Sequence, residues 1–125
     1  MEVKMDGQAF AGTLQRVRDR RLRRRLLTTI FELRTGRSGW ASAELLRDVV
    51  NDVSPPDEGF ETDQHCLGLL RDLEIKGLIQ ERQTKSRKGE KFGLGHLQYR
   101  ILGLGISLEN ESVPPDPDIY DDRIT

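Results

Sequence analysis

The sequence predicts a mostly α-helical domain with one small antiparallel β-hairpin. Three observations predict it. Apolar residues recur at helical spacing in three separate stretches, as in Leu22, Leu26, Leu27 and Ile30. Residues that start or stop helices bound those stretches: Thr13, Ser42 and Thr62 before them, Gly36 and Gly77 after two of them. Finally, Leu97-Gln98-Tyr99-Arg100-Ile101-Leu102 alternates with a period near two, as a half-buried strand does.

The elements follow in order. Residues 1–12 show little periodicity and are expected to be a flexible N-terminal tail. Thr13 then caps a long first helix running to about Thr35, with Gly36 as its C-terminal stop. Trp40-Ala41 is compatible with a very short strand. Ser42 caps a second helix from Ala43 to about Val50, whose apolar face is Leu45, Leu46, Val49 and Val50. The stretch Ser54-Pro55-Pro56-Asp57 and Gly59 mark a loop. Thr62 caps a third helix to Lys76, its inner face formed by Cys66, Leu69, Leu70 and Leu73, and Gly77 ends it. Two strands, from Leu78 to Arg82 and from Leu97 to Leu102, flank a basic, glycine-containing tip. Gly103 and Gly105 break the second strand. Residues 13–108 form the predicted domain. Residues 109–125, with three prolines and six carboxylates, lack the apolar surface to offset ordering entropy and are expected to be an acidic, extended or disordered tail.

Composition narrows the function classes. The 125 residues suit one domain. Hydrophobic residues make up 35% and charged residues 33%, so a small core with polar extensions is expected. No apolar run approaches the roughly 18 residues of a membrane span, and the first twelve residues lack the apolar region of a secretory signal. The single cysteine, Cys66, cannot form an internal disulfide. A cytoplasmic location is the expectation. The net charge of −1 hides alternation: +6 over residues 1–40, −7 over 41–81, +5 over 82–100 and −5 over 101–125. Alternating blocks in so short a chain suggest separate faces for separate partners, or solvated surfaces that happen to cluster.

No catalytic arrangement stands out, and neither an enzyme nor a cofactor is expected. Cys66 falls on an inner helix face, where an inert thiol is the ordinary finding. The two histidines, His65 and His96, form no pair with zinc spacing, so no metal is expected. Gly89, Gly93 and Gly95 do not match the spacing of a phosphate loop and suit turns at the hairpin tip.

The stretch Leu69-Leu70-Arg71-Asp72-Leu73-Glu74-Ile75-Lys76-Gly77-Leu78-Ile79 resembles the end of the recognition helix in winged-helix regulators of the MarR and PadR type. In those proteins a leucine-rich helix stops at a glycine and a Leu-Ile pair opens the wing. A second stretch, Tyr99-Arg100-Ile101-Leu102-Gly103, is similar to their second wing strand. Leu102 stands where a threonine cap often stands, so no long C-terminal helix is expected. The likeness covers roughly residues 14–105. The chain is also similar to small winged-helix proteins carried by prophages.

The resemblance implies a winged helix-turn-helix domain that binds double-stranded DNA, a transcriptional regulator working as a dimer. Arg82, Lys85, Arg87, Lys88 and Lys91 lie on or near the wing tip and are the candidates for phosphate contact, since releasing counterions supplies non-specific affinity. On the third helix Gln64 and Arg71 are candidates for base reading. Glu61, Asp63, Asp57 and Glu58 oppose a polyanion there, although acids at a helix start also complement its dipole. Seven arginines fall between residues 16 and 25. Arg16, Arg20, Arg23 and Arg24 are candidates for phosphate, a partner or the chain's own acidic tail. Leu14, Val17, Leu22 and Leu26 offer an apolar strip for a homodimer through the first helix. The alternative is a winged-helix protein–protein interaction module whose acidic second and third helices dock a basic partner.

Overall fold

The computed structural model describes residues 7–36, 38–85 and 92–120. Among them the chain forms four α-helices and one three-stranded antiparallel sheet, with about 55% of it helical. The elements are α1 (Gly7–Leu33), β1 (Ala41–Ser42), α2 (Ala43–Val53), α3 (Asp63–Ile75), β2 (Ile79–Gln83), β3 (Leu97–Ile101) and α4 (Gly103–Glu109). A single 3-10 turn, Leu94–His96, leads into β3. The strand order is β1-β3-β2, so the expected hairpin gains a third, two-residue strand on its β3 edge.

The helix starts at Ser42 and Thr62 behave as the sequence implies. Ser42 Oγ accepts the Leu45 N–H at 3.1 Å, and Thr62 Oγ1 accepts the His65 N–H at 3.0 Å. Each cap satisfies one orphan donor and contributes about 1 kcal/mol. At the other end of α3, Gly77 takes φ +76°, a left-handed conformation that costs glycine little, and the chain turns directly into β2.

Three expectations differ from the structure. The first helix begins at Gly7, six residues before Thr13, so residues 7–12 are helical rather than a loose tail. Ala9 and Ala11 are strong helix formers, and the one interior glycine, Gly12, costs only about 1 kcal/mol. At its far end Gly36 is not left-handed; its N–H bonds Leu33 O at 3.0 Å and closes a last tight turn. The largest difference is the C-terminal segment. Up to Tyr120 it is folded onto the domain, with Ile119 buried in the core.

One core joins every element. Leu22, Leu26, Leu27 and Ile30 of α1 meet Leu46 and Val50 of α2, Cys66, Leu69, Leu70 and Leu73 of α3, and Leu78, Ile79, Leu97, Tyr99 and Ile101 around the sheet. Tyr99 is buried, and its hydroxyl donates to Glu81 at 2.7 Å, so the one polar atom it brings inward is satisfied. Burial foremost, then that carboxylate, push its phenol well above the usual range. α4 is short, as the absent cap at Leu102 implies: no side chain bonds its first turn. Gly105 is required where α4 crosses the sheet, since a Cβ there would meet Leu78 O at 2.5 Å.

Candidate nucleic-acid interface

The apolar face of α3 is used up by the core, and that fixes what its other face shows. Gln64, Gly68, Arg71 and Ile75 follow one another at spacings of four, three and four residues and are all exposed. A side chain built at Gly68 would meet nothing within 4 Å, and Ile75 is 76% exposed. Gln64 and Arg71, the base-reading candidates, therefore share one open strip two turns apart.

The acids at the start of α3 are partly neutralised from within. Arg47 of α2 bonds Asp63 at 3.1 Å and Asp48 at 3.0 Å. Those two carboxylates raise the already high pKa of its guanidinium, Asp48 the more strongly. Arg21 of α1 takes Glu58 of the α2–α3 loop at 2.8 Å. Asp52, Asp57 and Glu61 make no ion pair among the described residues. His65 ties α3 to α1: its Nδ1 accepts the Glu61 N–H at 3.1 Å, which leaves Nε2 as the donor to Asp19 at 2.7 Å.

The strand pair β2–β3 is the stem of the hairpin. Its register sets Arg82 opposite Gln98 and Gln80 opposite Arg100. Arg82 Nε donates to Gln98 Oε1 at 2.7 Å, and Arg100 Nε donates to Gln80 Oε1 at 2.8 Å. Both guanidiniums lie over Trp40, at 4.1 and 4.9 Å from its ring centroid. Lys85 is exposed just past β2. Arg87, Lys88 and Lys91 lie outside the described residues. Arg100 and Trp40 were not candidates from sequence. Alternation alone could have found Arg100, because Leu97, Tyr99 and Ile101 point inward and leave Gln98 and Arg100 outward. No pattern could have brought Trp40 to it, since β1 is only two residues long.

The arginines of α1 divide by position. Arg23 donates from Nε and Nη2 to Asp72 at 3.1 and 3.0 Å and from Nη1 to the Asp118 carbonyl at 3.3 Å. Arg24 lies over the Tyr120 ring at 4.4 Å, and Arg25 bonds Ser54 at 3.2 Å. Lys76, absent from the sequence-derived candidates, holds both Asp116 and Asp118 at 2.9 Å. Arg16 reaches Thr13 at 3.2 Å. Arg16, Arg20, Arg23 and Lys76 line an open cavity of about 440 Å³ together with Asp19, Asp72, Ile75 and Asp118. The tail segment thus docks on the C-terminal half of the arginine run, as one of the three uses expected for those side chains has it.

Two of the four residues expected to form a dimer strip serve the monomer instead. Leu22 and Leu26 are fully buried, because α2, α3 and the sheet already cover that side of α1. Leu14 remains 38% exposed. Cys66 is buried, and burial pushes its thiol up to about 12. Among the described residues no group of three His, Cys, Asp or Glu side chains could hold a metal ion, and no helix is long and apolar enough to cross a membrane. Comparison with protein-family models, with curated proteins and with solved structures gave no match.

Proposed function

We propose that the chain is a winged-helix protein that binds double-stranded DNA and acts as a transcriptional regulator. In this reading α3 enters the major groove and the basic hairpin lies along the phosphate backbone. The observation that carries it is the open strip Gln64-Gly68-Arg71 on a helix whose Gly77 stop leads straight into the hairpin bearing Arg82 and Lys85. A helix that entered a groove needs such a face: unpartnered, low in bulk at its middle, with an amide and a guanidinium able to meet base edges. The order helix, short strand, helix, helix, hairpin supports the same reading. Arg16 and Arg20 extend the basic surface to α1, and Leu14 with Val17 is what remains for contact with a second copy. No catalytic role and no cofactor belong to this reading.

A second reading is a protein-interaction module. Favouring it are Asp52, Asp57 and Glu61, which surround the α2–α3 loop with no ion pair among the described residues and suit a basic partner. Fluorescence anisotropy with a labelled mixed-sequence duplex at low and moderate salt separates the two. DNA binding requires affinity that falls steeply with salt. Arg71→Ala is then expected to cost about 1–3 kcal/mol on a preferred sequence and less on others. Absence of binding even at low salt would discard the DNA reading in favour of the acidic loop as the contact.

A further inference from the structure

The outward face of the sheet carries a constellation that packing does not call for. Extending the register of Ala41 with Tyr99 sets Trp40 beside Arg100 on the side away from the core. Arg82 and Arg100 converge on that one ring, at 4.1 and 4.9 Å from its centroid, so their guanidinium carbons are at most roughly 9 Å apart. Each is fixed a second time by an Nε bond to a glutamine amide. Immobilising two arginines forfeits side-chain entropy, and bringing two like charges together adds repulsion. Neither guanidinium bonds a carboxylate among the described residues. Glu81, the one acid on β2, is turned to the other face, where it accepts the Tyr99 hydroxyl. The terminal nitrogens of both arginines bond no described residue, and their planes are held ready for bidentate acceptors.

We infer that this face is a clamp for the phosphodiester backbone of duplex DNA, with Arg82 and Arg100 on neighbouring phosphates and Trp40 as the residue that positions them. It rests on the DNA reading above and enlarges that contact from the hairpin across β3 to β1. A linked pair of phosphates suits the site better than one anion, because the two guanidiniums are fixed separately, each by its own glutamine.

Trp40 is the only tryptophan in the chain, so its emission reports this face and no other. The experiment titrates the full chain with a labelled mixed-sequence duplex and reads label anisotropy and Trp40 emission together. A parallel titration uses inorganic phosphate at matched phosphate concentration. Emission is expected to change saturably over the same duplex concentrations as anisotropy, and to stay flat with inorganic phosphate. Arg100→Gln should weaken duplex binding about three- to tenfold at low salt and lower the salt slope by about one, while Arg100→Lys keeps the slope. Duplex binding with silent emission and an unaltered Arg100→Gln would overturn the clamp and leave the DNA reading standing. Emission saturating equally with inorganic phosphate would reduce it to a simple anion site and overturn the backbone assignment. No duplex binding at all would remove both.

Discussion

Replacing Ile119 with alanine tests whether the acidic segment is part of the domain. Ile119 is 1% exposed and belongs to the same core cluster as Leu70 and Leu73. Its substitution removes three buried carbons, worth about 2.4 kcal/mol in transfer alone. Core substitutions of this kind reach about 2–5 kcal/mol when the surroundings cannot collapse. Here the segment can lift away, so the loss is capped by the free energy that docks it. The other docking contacts are weak. Lys76 pairs with a half-buried Asp116 and with Asp118, which is 66% exposed, and pairs open to solvent in this way contribute up to about 1 kcal/mol. Arg24 over Tyr120 adds about 0.5–1 kcal/mol. Ile119→Ala is therefore expected to lower unfolding free energy in urea by about 2 kcal/mol and the Tm by about 8 °C. Amide exchange should lose protection at Tyr120, whose N–H bonds Asp116 O at 2.9 Å. Lys76→Ala, by contrast, should cost under about 1 kcal/mol. A Tm within about 2 °C of the parent, with Tyr120 exchange unchanged, would refute the reasoning: the segment would then hold itself in place without Ile119.

Three further outcomes are expected. Cys66, buried and with its thiol pushed up to about 12, should react with a disulfide reagent at pH 8 at least about a thousandfold more slowly in the native protein than in urea; comparable rates would mean that the core opens at α3. The Lys76 bonds to Asp116 and Asp118 set a pH window for the tail. The Lys76 bond foremost holds the Asp118 carboxyl below its ordinary 3.8, so its contribution is present above that value and lost as pH falls through the lower folded one; Asp116 foremost raises Lys76 above 10.5, so that contribution is lost only as pH rises through the higher folded value. Tyr120 exchange protection should thus be flat between about pH 5 and 9, and a midpoint near neutrality would exclude this clasp as the docking contact. Replacing Asp116 and Asp118 together with asparagine shifts the net charge from −1 to +1 and releases Lys76; duplex affinity at low salt should rise about threefold, and an unchanged value would separate the tail from the DNA surface.

The caps of α2 and α3 and the inward face of α3 were legible in the sequence because they depend on neighbours three or four residues away, whereas the expected cap at Thr13 lies inside α1 and Leu45 of the expected α2 face is 45% exposed. Ser42, Thr62, Gly77 and the Cys66-Leu69-Leu70-Leu73 face all carry local signals, and the structure agrees at each. What failed to show depends on distant contacts. The segment after Glu109 reads as acidic and proline-rich on average, and averaging hides Ile119, one side chain that finds a slot between remote elements. The arginine run of α1 likewise reads as open to phosphate, a partner or the acidic tail, because nothing local reveals that Asp72, Glu58 and Tyr120 lie against it. The same holds for Trp40: its ring is placed by a strand pairing between residues some sixty positions apart.

The alternating charge blocks resolve into two kinds once those contacts are known. The basic block at the start of the chain is neutralised in part inside the molecule: Arg21 bonds Glu58 and Arg23 bonds Asp72, while Arg24 stacks on Tyr120. The acidic blocks are spent in part on the same bonds and on Arg47 and Lys76. The second basic block behaves differently. Arg82 and Arg100 bond glutamines and an aromatic ring, and Lys85 is exposed, so none of the three meets a carboxylate among the described residues. A chain with formal charge −1 thereby presents positive charge that meets no carboxylate among the described residues on the sheet face as well as at Arg16 and Arg20, which net charge alone would never indicate. Because exposed ion pairs are weak, a polyanion could compete for the α1 arginines too, but at Arg21 and Arg23 only by displacing acids that already sit there. The sheet face requires no such displacement. That difference makes Arg100, rather than Arg21 or Arg23 of the longer arginine run, the substitution with the greater expected effect on the salt dependence of DNA binding.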